Sequence, residues 1–202
     1  MTVTPRKKPR HEKSRGIVDA ILQGAARLLE RNDKGELTTN KVAEIAGVSI
    51  GSLYQYFPGK SAILAAVAQK RIRDTYDALL DRIERSRDLS LEEAVSGIVD
   101  AFVDMKIEHD KVDAGVIQRL VRQGLVDEAA FTLDAEYIER FAAALESWKP
   151  KVRDVPPELG AFILFQSLRA VMIMGALERP VLVTDARMRN ELKTLFVRYL
   201  AP

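Results

Sequence analysis

Between Leu37 and Lys60 the chain reads LTTNKVAEIAGVSIGSLYQYFPGK, and no other stretch constrains the fold as much. Two runs with apolar residues at helical spacing, Thr39 to Ala46 and Ile50 to Phe57, are separated only by Gly47, Val48 and Ser49, and Pro58 stops the second. Helices this short are marginal alone, so both must be held against a third element. Gly47 supplies the left-handed backbone angle of a tight helix-to-helix turn. Thr38 and Ser49 stand where N-caps are needed. Val42 and Val48 are expected to face inward, and Ala43 is small enough to let the two helices approach. Leu53 and Phe57, four residues apart, are expected to anchor the second helix on the one upstream.

That upstream helix is announced by Ile17, Ile21, Ala25, Leu28 and Leu29 and spans about Ser14 to Arg31, with Asn32 to Gly35 ending it. A long helix starts at Gly59 or Lys60 and runs through Ile63, Val67, Ile72, Tyr76 and Leu80 to about Ile83. Ser90, with Glu93 three residues on, forms a capping box that opens a helix to about Glu108. Further helices are predicted at about Val112 to Gln123, Asp127 to Trp148 and Glu158 to Leu177, and from Thr184 or Asp185 to Leu200. No segment alternates with a period of two for long, and Val181 to Val183 is too short for a strand. The expected fold is all-α with about nine helices: a basic arm over 1–13, a three-helix helix-turn-helix domain over 14–60, and a larger helical domain over 61–202.

Charge is divided unevenly between these parts. The first 60 residues hold 11 Lys and Arg against 6 Asp and Glu, whereas the remaining 142 hold 20 against 23. A basic module joined to a mildly acidic one suits a phosphate-binding head with a different task behind it. On the second short helix the surface opposite Leu53 and Phe57 carries Ile50, Gly51, Tyr54 and Gln55. Gly51 lets a backbone come close, Gln55 can read a base edge, and the hydroxyls of Ser52, Tyr54 and Tyr56 can reach phosphates or bases. Thr38 leaves free N–H groups near a phosphate, and Lys60 adds charge where the helix dipole already favours an anion. Double-stranded DNA is the partner this surface fits.

The pattern TTxxxAxxAGVSxGxLYxYF, preceded by a helix and followed by a basic residue opening the next one, resembles the TetR family of bacterial transcriptional regulators. The motif covers about a quarter of the chain. The resemblance implies that Thr38, Thr39, Ser49, Ile50, Gly51, Tyr54, Gln55, Tyr56 and Lys60 occupy positions that contact operator DNA, and that Asn40, Ile50, Ser52 and Gln55 set the sequence preferred. It departs at Asn32 to Glu36, a polar loop where the family often has a glycine-aromatic pair. The arm bearing Arg6, Lys7, Lys8, Arg10 and Lys13 is longer than the motif needs. Entry into a flanking minor groove and a solubilising tail both remain open for it.

A helix-turn-helix reads few base pairs, so specific binding calls for two copies about one DNA turn apart. The last helix bears Met188, Leu192, Leu195, Phe196 and Tyr199 as a stripe, and the helix before it is apolar nearly all round, including Phe162, Phe165, Leu168, Met172 and Gly175. These residues are the predicted homodimer interface, as the resemblance also implies, with Ala161 and Gly175 allowing close crossing. The family further implies a ligand pocket among the middle helices. Phe102, Met105, Tyr137, Phe141, Trp148, Phe165 and Met172 are candidate lining, with Gln118, Gln166 and Arg169 supplying polarity, which favours an apolar or aromatic small-molecule effector.

The resulting expectation is a cytoplasmic homodimeric repressor released from a palindromic operator by an effector, with a regulator lacking any small ligand as the alternative. No catalytic role is expected: cysteine is absent, His11 and His109 have no spaced partners for a metal, and no GxSxG, HExxH or phosphate-loop pattern occurs. No cofactor and no membrane association are expected, since no apolar run approaches the ~20 residues of a membrane span.

Overall fold

The structure is a computed structural model, which describes residues 12–30, 37–113, 128–149 and 151–202. Nine helices occur among the described residues: α1 (Glu12–Glu30), α2 (Thr39–Ala46), α3 (Ile50–Tyr56), α4 (Lys60–Arg85), α5 (Leu91–Asp113), α6 (Glu128–Glu146), α7 (Pro157–Glu178), α8 (Pro180–Val183) and α9 (Ala186–Leu200). The expected all-α class holds, and among these residues no helix is long and apolar enough to cross a membrane. The number nine agrees with the sequence reading for a partly different reason. The helix expected at Val112 to Gln123, with Gln118, lies mostly outside the described residues, as do the basic arm and the Asn32 to Glu36 loop. The sequence reading did not include α8, a single turn that opens at Pro180. Proline at the first helical position costs no hydrogen bond and has a suitable φ already, so Pro180 was the available signal.

The chain separates into two compact units, Met1–Ile72 with His109–Asp127 and Arg73–Glu108 with Glu128–Pro202, so the division cuts α4 after Ile72 and α5 after Glu108. The head is built on Ile21, Leu22, Ala25 and Leu28 of α1, Val42 and Ala43 of α2, Leu53 and Tyr56 of α3, Phe57, and Ala62, Ile63 and Val67 of α4, all buried. The first turns of α4 therefore complete the head's core, which extends the head past residue 60. Val48 packs partly buried against the same core.

In the second unit α4, α5, α6, α7 and α9 contribute a separate core. Its centre is aromatic. Tyr76 meets Tyr137 and Phe165 edge-on, each at 4.8 Å between ring centroids, and Phe141 lies 5.3 Å from Phe165. The Tyr137 hydroxyl donates to Asp77 Oδ1 at 3.0 Å, and Arg140 donates to the same oxygen at 2.8 Å. Burial, with Asp77 beside it, raises the Tyr137 pKa above the usual phenol value, so the ring stays a neutral donor. The predicted box at Ser90 and Glu93 forms in both directions, Ser90 N–H to Glu93 Oε2 at 3.0 Å and Glu93 N–H to Ser90 Oγ at 3.3 Å. Asp100 accepts from Lys193 at 2.8 Å and Arg189 at 3.3 Å, tying α9 to α5.

Candidate nucleic-acid interface

The head presents α3 through a turn that the sequence dictates locally. Gly47 has φ 65° and ψ 30°. Its N–H meets the Glu44 carbonyl at 3.1 Å and the Val48 N–H meets that of Ala43 at 3.0 Å, closing the end of α2 as a left-handed cap does. A Cβ at this position would meet nothing within 4 Å, so glycine is required by the backbone angle alone. Thr38 caps α2 by accepting from Lys41 N–H at 3.2 Å, and Ser49 caps α3 by accepting from Ser52 N–H at 3.0 Å. Neither α2, α3 nor α4 has an acidic residue in its first turn, so the positive ends of these three helices are left available to an anion.

Side chains of α3 divide cleanly by face. Leu53 is fully buried, Tyr56 is 7% exposed, and the adjoining Phe57 is fully buried. Ile50, Gly51, Tyr54 and Gln55 are exposed, and so are Thr38, Asn40 and Ser49, with Thr39 and Ser52 half-buried. Lys60, at the start of α4, is exposed. The Tyr54 hydroxyl lies 3.1 Å from Thr39 Oγ1, linking the two helices on the outer surface. Tyr56, expected to offer its hydroxyl outward, is less free than its neighbours, with its ring in the head's core because it follows Leu53 by three residues and so shares its face. Ser52 is also less free than expected, since its Oγ lies 2.8 Å from that of Ser49.

Comparison with known proteins places this geometry. Residues 21–67 match the family profile described as bacterial regulatory proteins, tetR family, and residues 90–200 match that of the tetracyclin repressor-like C-terminal domain. The chain belongs to the TetR family. A nucleoid occlusion factor, SlmA, of Actinobacillus pleuropneumoniae is 28% identical over 128 residues, 63% of this chain and 58% of that protein, so the alignment spans little more than half of the relative. Among solved structures, the TetR-family repressor AlkX of Dietzia sp. has a TM-score of 0.61 at 19% identity, covering 91% of this chain and 97% of its own. SmeT, the repressor of the Stenotrophomonas maltophilia multidrug efflux pump SmeDEF, has 0.58 at 18% identity, covering 95% and 93%. At such identities these structures speak for the fold alone.

In the second unit of this TetR-family chain lies a cavity of about 110 Å³ whose lining is almost all carbon. Leu79 and Ile83 of α4, Leu91, Ala94, Val95 and Ile98 of α5, Phe141 and Ala144 of α6, Trp148 in the turn after α6, Ala161, Leu164 and Phe165 of α7, and Phe196 of α9 are among the residues around it. Of the predicted lining, Phe141, Trp148 and Phe165 are there. Phe102, Met105, Tyr137, Gln166, Arg169 and Met172 are not. Phe102 and Met172 are plain core, at 5% and 0% exposed, while the Tyr137 hydroxyl is committed to Asp77. Arg169 Nε donates to Gln166 Oε1 at 3.1 Å, and neither residue lines the cavity. The aliphatic residues of α4 and α5 that do line it carried no distinguishing mark in the sequence.

The predicted dimer residues divide as well. Phe165, Leu168, Met172, Leu192 and Phe196 are buried within the chain itself, at 7% exposure or less, and so fill its own core. Gly175 is small for a neighbour in the same chain: a Cβ there would stand 3.0 Å from Val183 Cγ2 of α8. Ala161 likewise turns inward, at 3%. Met188 and Tyr199 are half-buried. What remains outside is Phe162, 49% exposed, and Leu195, 54%, joined by Leu159, Ile163 and Met174, which the sequence reading did not name for this role.

Proposed function

We propose that this protein is a cytoplasmic transcriptional regulator that binds a palindromic operator as a homodimer and is released, as a repressor, when a small apolar effector occupies the carbon-lined cavity. One observation carries the DNA-binding part. The solvent face of α3 consists of Ile50, Gly51, Tyr54 and Gln55, held on a head in which the N-termini of α2, α3 and α4 are free of acidic residues. A face of this kind offers base-edge and phosphate contacts in a major groove, and Lys60 adds a cation beside it.

Dimerisation is supported by the outer stripe of α7. Leu159, Phe162, Ile163 and Met174 recur at helical spacing and are 37% to 51% exposed, an apolar surface a second copy would cover. The effector reading is supported by the cavity. A lining almost wholly of carbon leaves an unpaired charge uncompensated, so a neutral, apolar or aromatic molecule fits it, and SmeT, of the same fold, has been solved as a complex with triclosan. Its effect on DNA follows from linkage. A ligand that favours the non-binding conformation a hundredfold contributes about 2.7 kcal/mol to release.

Selecting bound fragments from genomic DNA tests the proposal, with an inverted repeat of half-sites about one turn apart as the expected product. Tyr54→Ala and Lys60→Ala should each weaken operator binding about tenfold or more, and Lys60→Ala should lower the slope of log affinity on log salt by about one. Both side chains are exposed, so the fold should survive. Unchanged affinity in both variants would overturn the docking of α3.

A further inference from the structure

The hydrogen bonds of the head show which residues of α3 are left to read bases, and resting on the proposed operator binding, we infer that each half-site is specified by a thymine methyl against Ile50 and an adenine edge against Gln55. Elimination leads there. Ser49 and Ser52 are engaged with one another, Oγ to Oγ at 2.8 Å, and Ser49 also caps the helix. Tyr54 shares its hydroxyl with Thr39 at 3.1 Å, which fixes the ring over the α2 side. Gly51 has no side chain, and Leu53, Tyr56 and Phe57 are in the core. Asn40 is exposed but sits on α2, the helix that in this arrangement crosses the DNA backbone.

Two side chains remain. Gln55 is exposed and keeps both amide functions uncommitted among the described residues, one donor and one acceptor on the same planar group. That pair matches the adenine N6–H and N7 of the major groove, where the carboxamide accepts from N6 and donates to N7. Ile50 is 40% exposed, an isoleucine held in water on a face otherwise polar. It has no hydrogen bond to give, and the one apolar feature of the major groove is the thymine 5-methyl group.

Helix geometry sets their spacing. Five residues of α3 separate Ile50 from Gln55, an axial rise of roughly 7.5 Å and a turn of roughly 140°, with Tyr54 and Gly51 between them on the same exposed arc. At ~3.4 Å per base pair the two contacts fall about two base-pair steps apart. The half-site is therefore expected to hold one methyl-dependent thymine and one adenine within about three base pairs.

The test uses the full chain on synthetic duplexes of the selected operator. Each thymine in turn is replaced by deoxyuridine, which removes only the methyl, and each adenine by 7-deaza-adenine, which removes only the N7 acceptor. One thymine per half-site should cost 3- to 10-fold in wild-type affinity and nothing in Ile50→Ala. One adenine per half-site should cost about 10-fold in wild type and nothing in Gln55→Ala. Both variants should keep wild-type thermal unfolding, since neither side chain belongs to the core. An operator that is bound tightly but shows no methyl or N7 dependence, or shows the same dependence in the alanine variants, overturns this assignment and leaves DNA binding standing. A chain that selects no duplex at all overturns both.

Discussion

Filling the cavity of the second unit should stabilise the protein and abolish its response to ligand at once. Ala144 of α6 lines the cavity and is 8% exposed, so Ala144→Leu would add three carbons facing an all-carbon surface. The carbons added give the size of the gain. At about 0.8 kcal/mol for each buried carbon, three carbons give about 2.4 kcal/mol. Fixing the leucine rotamer takes back about 0.5 to 1 kcal/mol, and some strain is expected where a leucine meets a wall shaped for a smaller side chain. The net gain should be about 1 to 2 kcal/mol, which raises the melting temperature of a chain this size by about 2 to 8 °C. The assay is thermal unfolding with and without toluene, a neutral ring of the size that cavities of ~150 Å³ accept. Trp148 is the only tryptophan in the sequence and it lines the cavity, so its fluorescence reports occupancy directly. Wild type should be stabilised by toluene and change its emission, and Ala144→Leu should do neither. A variant less stable than wild type that still responds to toluene would refute the reasoning, because the leucine would then have gone somewhere other than the void.

Gly47→Ala should cost about 1 to 2 kcal/mol in denaturant unfolding through the left-handed backbone alone, since nothing stands near the added methyl, and Gly47→Asn should cost less. Phe162→Glu, on the exposed face of α7, should shift the sedimentation coefficient from dimer to monomer with little change in the monomer's melting temperature. Asp185 caps α9 and is held below the usual aspartate range, first by its side-chain bonds to Arg187 and then by the Arg187 backbone N–H. A carboxyl with a depressed folded pKa contributes stability that is complete above its unfolded value and is lost as pH falls through the folded one. Melting temperature should therefore drop as pH falls below about 4, and Asp185→Asn should make that drop shallower.

The head was legible almost residue by residue because its determinants are local. A cap is a serine or threonine at one position, a left-handed turn is a glycine at one position, and both bond partners lie within five residues. Tyr56 is the least local case: its hydroxyl marks it as polar, yet Leu53 three residues earlier lies on the same buried face. The second unit was less legible for the opposite reason. The bond between Tyr137 and Asp77 joins residues 60 apart, and Asp100 meets Lys193 across 93. Nothing in either local sequence marks those partners.

The residues of α7 show where periodicity stops being informative. On an amphipathic helix the apolar stripe identifies the buried face, but α7 is apolar on both sides and so offers no phase. Only packing separates the two stripes: Ala161, Phe165, Leu168 and Met172 are buried, and Leu159, Phe162, Ile163 and Met174 are not. The inner stripe satisfies the chain's own core, and Phe165, Leu168 and Met172, three of the residues assigned from sequence to a dimer, belong to it. The outer stripe has no such explanation within one chain. Four large apolar side chains, each 37% to 51% exposed along one helix face, cost free energy in water, and a second copy presenting the same stripe removes that cost on both sides at once. The same pairing would supply the second head that the two base contacts assigned to α3 require for a specific site.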